Sequence, residues 1–271
     1  MRRGALRAPL GRTRGNGRGT KIDVARVLVD SLIATAFAPL CVSCAEVLES
    51  PTRSPVCDRC WQNLRRYTPP WCQTCGAPLA RGNAPHECLP AGHAVTTLRA
   101  LGPYEGVLRD LVHALKFDRR RSLAAPLGAL LRSSGNEIFT DADALVPVPL
   151  HPWRQWRRGF NQAADLASAL RTRSLPVWRS VRRRRSTRPQ FELNAGARHA
   201  NVRAAFAIAG WTPWQRARWS KRIAGRTLVL VDDVTTTGAT LSACAEVLLQ
   251  HGAREVRAVT IGRVMLDRDR T

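Results

Sequence analysis

Between Leu228 and Leu241 the chain reads LVLVDDVTTTGATL: an apolar run, two adjacent carboxylates, three threonines, a glycine, and then residues suited to a helix. In open α/β sheets, ligands gather at the carboxyl ends of strands. A strand ending at Val231 would place Asp232 and Asp233 there, with the bend Thr235, Thr236, Thr237, Gly238, Ala239 and Thr240 just beyond. Backbone N–H groups and threonine hydroxyls at a helix N-terminus favour an anion such as phosphate. Gly238 lets the backbone approach that anion with no side chain in the way. The two aspartates can accept hydrogen bonds from vicinal sugar hydroxyls. A phosphate cradle beside a diol reader describes a ribose 5-phosphate site. The plainer alternative is a capped βα turn in which Asp and Thr are only turn formers. A Walker loop is excluded, because G-x4-G-K-[ST] does not occur.

A second kind of chemistry lies near the other end. Cys41-x2-Cys44, Cys57-x2-Cys60 and Cys72-x2-Cys75 are followed by Cys88, so seven of the eight cysteines fall between 41 and 88. Zinc takes four soft or borderline ligands in a tetrahedron, and each C-x2-C turn supplies two. Cys41, Cys44, Cys57 and Cys60 form the first expected site. Cys72, Cys75 and Cys88 with His86 form a tentative second one, with His93 also near and interleaved pairing open. Such closed sites are structural rather than catalytic. Disulfides need an export route, and the basic start has neither an apolar core nor a small-residue cleavage site. The expected compartment is therefore the cytoplasm. A redox C-x2-C normally stands alone in a thioredoxin-like fold. Cys244 sits on an apolar helical stripe and reads as packing.

Charge narrows the partners. The chain has 271 residues, 44% of them hydrophobic, with 43 basic and 20 acidic side chains and a net charge of +23. An apolar fraction of that size can build a core, and no apolar stretch is long and uncharged enough for a membrane span. The excess sits in tracts: residues 1–21, Arg154 to Arg158, residues 171–188 and residues 214–226, none containing an acid. Basic patches attract polyanions: nucleic acid, pyrophosphate or anionic lipid. With only three lysines in the chain, GC-rich coding would produce the same arginine bias.

These residues need a scaffold to hold them. Residues 1–21 read as a disordered basic tail. Residues 22–94 read as an N-terminal helix over 22–38, with an apolar stripe through Leu28 and Leu32, leading into a zinc-ribbon module too small for its own core. Residues 95–271 alternate strand and helix, as a parallel α/β sheet does. Strands are expected at 98–101, 145–149, 204–209, 227–231 and 256–261. Helices are expected at 107–115, 123–132 (weakened by Pro126 and Gly128), 161–170 and 241–249, the last stopped by Gly252.

LVLVDDVTTTGAT resembles the signature of type I phosphoribosyltransferases. Further markers narrow the resemblance to the ComF family (competence protein F, GntX-like). They are Tyr104-Glu105-Gly106, Ala114-Leu115-Lys116-Phe117, Val146-Pro147-Val148-Pro149-Leu150-His151, Arg158-Gly159-Phe160-Asn161-Gln162, Thr187 with Gln190, then Arg198, Asn201 and Phe206. The resemblance implies a type I phosphoribosyltransferase-like parallel sheet flanked by helices behind the zinc ribbon. It also implies binding of phosphoribosyl pyrophosphate or ribose 5-phosphate with Mg²⁺, and transfer of the phosphoribosyl group to a nitrogen acceptor.

Carried over to these positions, Asp232 and Asp233 hold the ribose hydroxyls and Thr235 to Thr240 the 5′-phosphate. Lys116 lies near the pyrophosphate, and Arg158 to Gln162 border the cleft. In its own terms Arg158 can grip a phosphate bidentately while Asn161 and Gln162 orient a substrate amide or base. The ordinary alternative is a polar helix cap. The sequence departs from the family pattern in lacking a final C-x2-C, in the added charge of Arg182 to Arg185, and in residues 210–222, which look like an enlarged connection.

The family also implies a role in competence and DNA uptake, beside a helicase. That raises a rival reading, a single-stranded-DNA adaptor that keeps the sugar-phosphate pocket. Trp211, Trp214 and Trp219 interleaved with Arg216, Arg218, Lys221 and Arg222 suit base stacking and phosphate contact. Against it, tryptophans more often pack on their own domain.

Overall fold

The computed structural model describes residues 28–33, 38–79, 88–89, 92–150, 152–184 and 205–264. Its elements in chain order are α1 (Asp58–Gln62), β1 (Leu98–Pro103), α2 (Gly106–Phe117), α3 (Ala124–Ser134), α4 (Asn136–Phe139), β2 (Ala144–Pro147), α5 (Pro152–Arg158), α6 (Gln162–Leu170), β3 (Val181–Arg183), β4 (Phe206–Ile208), α7 (Pro213–Ile223), β5 (Thr227–Thr235), α8 (Ala239–Gln250) and β6 (Glu255–Arg263). Four strands form a parallel sheet in the order β1-β6-β5-β2. No helix among the described residues is long and apolar enough to cross a membrane.

The central strands are apolar at successive positions because both faces are covered. Val229 and Val231 of β5 join Val259 and Ile261 of β6 in one core, packed by Leu108, Leu111 and Leu115 of α2, Leu127 and Leu131 of α3, and Leu166 and Leu170 of α6. Leu228 and Leu230 join Val256 and Ala258 in the other, packed by Leu241, Cys244, Ala245 and Leu248 of α8. Cys244 is thus a packing residue. Gly128 strengthens its region: a Cβ there would stand 2.9 Å from Cβ of Ala169, so its absence lets α3 and α6 close. Gly252, at φ +88°, follows the last turn of α8 as expected.

The cysteine module shares a core with the sheet. Cys41, Leu48, Val56, Cys60 and Leu64 belong to the cluster that contains Leu101, Leu108 and Leu111. It also covers the sheet edge at β1. Leu98 N–H donates to Thr74 O at 2.7 Å, and Tyr67 N–H to Leu101 O at 2.9 Å. An open edge strand would invite pairing with other chains, and this contact removes that hazard.

Several sequence expectations change here. β5 does not stop at Val231 but stays paired with β6 through Thr235, so both aspartates lie in the strand. The strand near 204–209 is shortened to β4 and lies outside the parallel sheet, antiparallel to β3. β3 was hidden in an arginine run that shows no apolar alternation. The enlarged connection at residues 210–222 carries α7, started by a capping box in which Thr212 Oγ1 accepts from Gln215 N–H and Gln215 Oε1 accepts from Thr212 N–H. In the first helix only 28–33 are described; there Leu28 and Leu32 are exposed, while Asp30 is buried and accepts from Thr52 N–H at 2.8 Å. The apolar stripe therefore does not face the body at those residues.

Candidate functional site

Strand pleating sends neighbours to opposite faces, and this separates the two aspartates. Asp233 takes the face of Val231, where α2 ends, and its Oδ1 lies 3.0 Å from Lys116 Nζ with both side chains largely buried. Asp232 takes the α8 face, within electrostatic reach of Cys244 and Arg183. Its Oδ1 accepts from Asp233 N–H at 2.9 Å. Burial first, and the Asp233 carboxylate second, push the Asp232 carboxyl up to about 8. The pair is thus a split one, able to touch a ligand from both sides of the sheet end.

Beyond Thr235 the chain turns through exposed Thr236 and Thr237 into Gly238, which at φ +76° caps α8. Gly238 O accepts from Ser242 N–H at 2.8 Å, the first bond of the helix. The bend therefore stands where a βα anion cradle should.

Asn161 and Gln162 are placed differently from the expectation. Asn161 caps α6: Oδ1 accepts from Ala163 N–H at 3.0 Å and the amide donates to Val148 O at 3.0 Å. Gln162 is fully buried and donates to Lys116 O at 3.4 Å. The Asn161 amide is held by backbone at both ends, whereas Gln162 bonds through Nε2 and leaves its buried Oε1 without a partner among the described residues. Gln162 instead seats the residue that carries the site's cation. The Arg158 guanidinium lies 4.9 Å from the Phe117 ring centre, so it joins the end of α2 to the end of α5.

The cavity near these residues is one that sequence reasoning did not delimit. It measures about 370 Å³, and its walls include Pro147, Pro149, Gly159 and Asn161 with Arg121, Arg179, Arg182 and Arg183. Arg121 there is paired with Asp165, at 2.6 and 2.8 Å. The arginine tract at 171–188 was the available signal, but nothing in it says which guanidinium groups meet. The β2–β5 ladder puts this cavity beside the aspartates, since Val148 N–H donates to Val231 O at 2.9 Å.

The cysteines converge as spaced. The sulfurs of Cys41, Cys44, Cys57 and Cys60 lie within 4.8 Å of one another, as do those of Cys72, Cys75 and Cys88. A tetrahedral zinc with Zn–S near 2.3 Å needs sulfurs about 3.8 Å apart. Cys44 and Cys57 stand at 3.6 Å, Cys72 and Cys88 at 3.9 Å. Burial raises the Cys41 thiol, but the N–H groups of Cys44, Cys57 and Ser43 outweigh it and bring the group to about 7. A thiolate at neutral pH is what the metal requires. Burial and then the neighbouring sulfurs push Cys60 up, a repulsion that a central divalent cation reverses. Of the two histidines considered for the second site, His86 lies outside the described residues. His93 is turned away from the sulfurs, to Gly238. Thr187, Gln190, Arg198 and Asn201 also lie outside the described residues.

The basic tryptophan segment divides. Trp219 packs against the α8-side core and stands 6.3 Å from Trp178, with Arg222 4.3 Å from the Trp178 ring centre. Trp211 and Trp214 are 84% and 70% exposed. Trp214, Arg218, Trp219 and Arg222 line a groove of about 410 Å³.

Comparison with known proteins gives the family and the domains. A family model described as a phosphoribosyl transferase domain matches residues 156–269, and one described as a double zinc ribbon domain matches residues 32–89. The DNA utilization protein YhgH of Salmonella typhimurium is 34% identical over 78% of this chain and 91% of that protein. Competence protein F of Haemophilus influenzae is 30% identical over 82% of this chain and 96% of that protein. Among solved structures, a phosphoribosylpyrophosphate synthetase from Mycobacterium smegmatis is similar over 52% of this chain and 34% of that chain, at 18% identity and a TM-score of 0.31. The cysteine clusters together with the zinc-ribbon match support structural zinc.

Proposed function

The chain belongs to the ComF family, that of competence protein F and YhgH, and from that premise we propose that it binds phosphoribosyl pyrophosphate at the carboxyl ends of β2 and β5 and transfers the phosphoribosyl group to a nitrogen acceptor. The observation that carries the reading is the β5–α8 junction. It joins a split acidic pair, a hydroxyl-rich bend at a helix start, and an arginine-lined cavity one strand away.

In this reading the bend from Thr235 to Thr240 takes the 5′-phosphate on its N–H groups and hydroxyls. Asp232 and Asp233 receive the ribose hydroxyls. Lys116, Arg158 and the cavity arginines face the pyrophosphate; Arg182 and Arg183 supply the planar forks that phosphate oxygens fit. The C1–oxygen bond breaks and its electron pair leaves with pyrophosphate. The acceptor nitrogen lone pair forms the new C1–N bond, and the nitrogen gives up a proton. Fixed cations aimed at the departing charge lower the barrier without reorganising. Magnesium, when bound with the pyrophosphate, would supply further charge neutralisation, and carboxylate oxygens such as those of Asp233 are ligands of the type it prefers. The work would be done in the cytoplasm.

The test is calorimetry with phosphoribosyl pyrophosphate and Mg²⁺. Binding is expected in the native chain and lost in Asp232→Asn/Asp233→Asn. An unchanged affinity in the double variant removes the reading.

A second reading rests on the two exposed tryptophans beside a basic helix: a single-stranded-DNA adaptor acting near a competence helicase. A mobility-shift assay at two salt concentrations tests it, since phosphate contacts must weaken as salt rises. No shift at low salt dismisses it.

A further inference from the structure

Described residues just beyond Cys88, the last member of the second cysteine cluster, lie against the candidate phosphate bend. Leu89, next to Cys88, has its Cδ2 3.5 Å from where a Cβ on Gly238 would stand. His93 Nε2 lies 3.1 Å from Gly238 O, and Val95 N–H donates to His93 Nδ1 at 3.2 Å. A ring nitrogen that accepts carries no proton, so the proton sits on Nε2 and is donated to the Gly238 carbonyl. Ala94 N–H donates to Ser242 Oγ at 3.2 Å, near the start of α8. Thr96 N–H then donates to Val256 O at 2.9 Å, anchoring the segment on β6.

The contact at Gly238 has a consequence for anion binding. Its carbonyl now accepts two donors, Ser242 N–H and His93 Nε2–H, which uses both lone pairs. In a planar trans peptide the C=O and the following N–H point in opposite directions. Holding Gly238 O toward the helix and the histidine therefore aims Ala239 N–H the other way, out of the helix start. A left-handed glycine has little torsional preference of its own, so the orientation must be imposed from outside. The fit is close: a Cβ on Gly238 would meet His93 Nε2 at 2.7 Å.

We propose that residues 88–89 and 92–96 form a strut by which the second cysteine cluster and β6 together hold the phosphate bend in shape, with His93 as its positioning residue. The functional consequence rests on the ribose-phosphate reading of the bend; the mechanical one does not.

Two readouts separate those claims: ribose 5-phosphate affinity by calorimetry, and hydrogen exchange of amides 236–242 in the full chain. His93→Ala is expected to speed that exchange and to weaken affinity about tenfold, the effect of one oriented hydrogen bond. His93→Gln, whose amide can donate to the same carbonyl, is expected to recover most of both. Cys88→Ser should speed exchange at 236–242 while leaving amides 227–231 protected. Native exchange in His93→Ala, or a Gln variant as impaired as Ala, overturns the strut. A native chain that fails to bind ribose 5-phosphate overturns the functional reading alone, and the exchange data still decide the strut.

Discussion

Lys116 Nζ stands 3.0 Å from Asp233 Oδ1, so the side chain expected to meet the pyrophosphate grips an acid expected to read the sugar. Two roles assigned to separate ends of a substrate are thus joined in one ion pair. In the proposed reading, a ribose hydroxyl entering beside Asp233 would share that carboxylate with the ammonium.

Lys116→Met should therefore do two things. It leaves the Asp233 carboxylate largely buried without its cation, at a cost of about 1–3 kcal/mol in denaturant unfolding. It should also weaken phosphoribosyl pyrophosphate binding at least about tenfold. Lys116→Met/Asp233→Asn should regain most of the stability but none of the binding, and a double-mutant cycle reads both.

Asp232 predicts a dependence on pH. Burial, then Asp233, raise its folded pKa to about 8 from the ordinary 3.8. Between those values the folded state holds the proton and the unfolded state does not, so this group's contribution to stability falls as pH rises. Asp232→Asn should gain on the native chain with increasing pH from 4 to 8 and match it near pH 3. Chemical denaturation across that window shows it; a difference that stays flat removes the prediction.

Metal removal should destabilise the whole molecule. Cys41 and Cys60 lie in the core that holds Leu101, Leu108 and Leu111, and structural zinc contributes directly to folding free energy. Chelation is expected to lower Tm by about 10 °C or more, in one transition rather than two. Calorimetry that shows the zinc ribbon melting separately contradicts a shared core.

Tryptophan substitutions should split by exposure. Trp214→Ala and Trp211→Ala should each lower single-strand DNA affinity by about 1–3 kcal/mol with stability unchanged. Trp219→Ala removes a core contact and the face against which Arg222 stacks. It should cost about 1–3 kcal/mol in unfolding, less than a fully buried tryptophan would.

Local order carried much of this into the sequence. The TLVLV run announces a strand covered on both faces, and the C-x2-C spacing announces paired ligands, because each depends on residues a few positions apart. The bend before α8 is legible for the same reason: glycine, threonines and a following helical stripe are neighbours in the chain. The sequence also marked Asn161 as either a cap or a substrate reader, and only the fold, by turning its amide to Val148 O, chose the cap.

Other features depend on where distant segments meet. Nothing local indicates that β5 continues through both aspartates, since its last residues are held by pairing with β6. That continuation, through the pleat, sends Asp232 and Asp233 to opposite faces and brings Lys116 to only one of them. The arginines of 171–188 read as surface charge until β3 pairs with β4 and turns Arg182 and Arg183 to the cavity wall. His93 read as a spare zinc ligand, yet the path of the chain carries it past the sulfurs to Gly238. Residue types and their spacing along the chain decided the nearby geometry of the cysteine clusters and the threonine bend. Which charged side chain faces which was left to packing, because those contacts join elements whose separation in sequence says nothing of their separation in space.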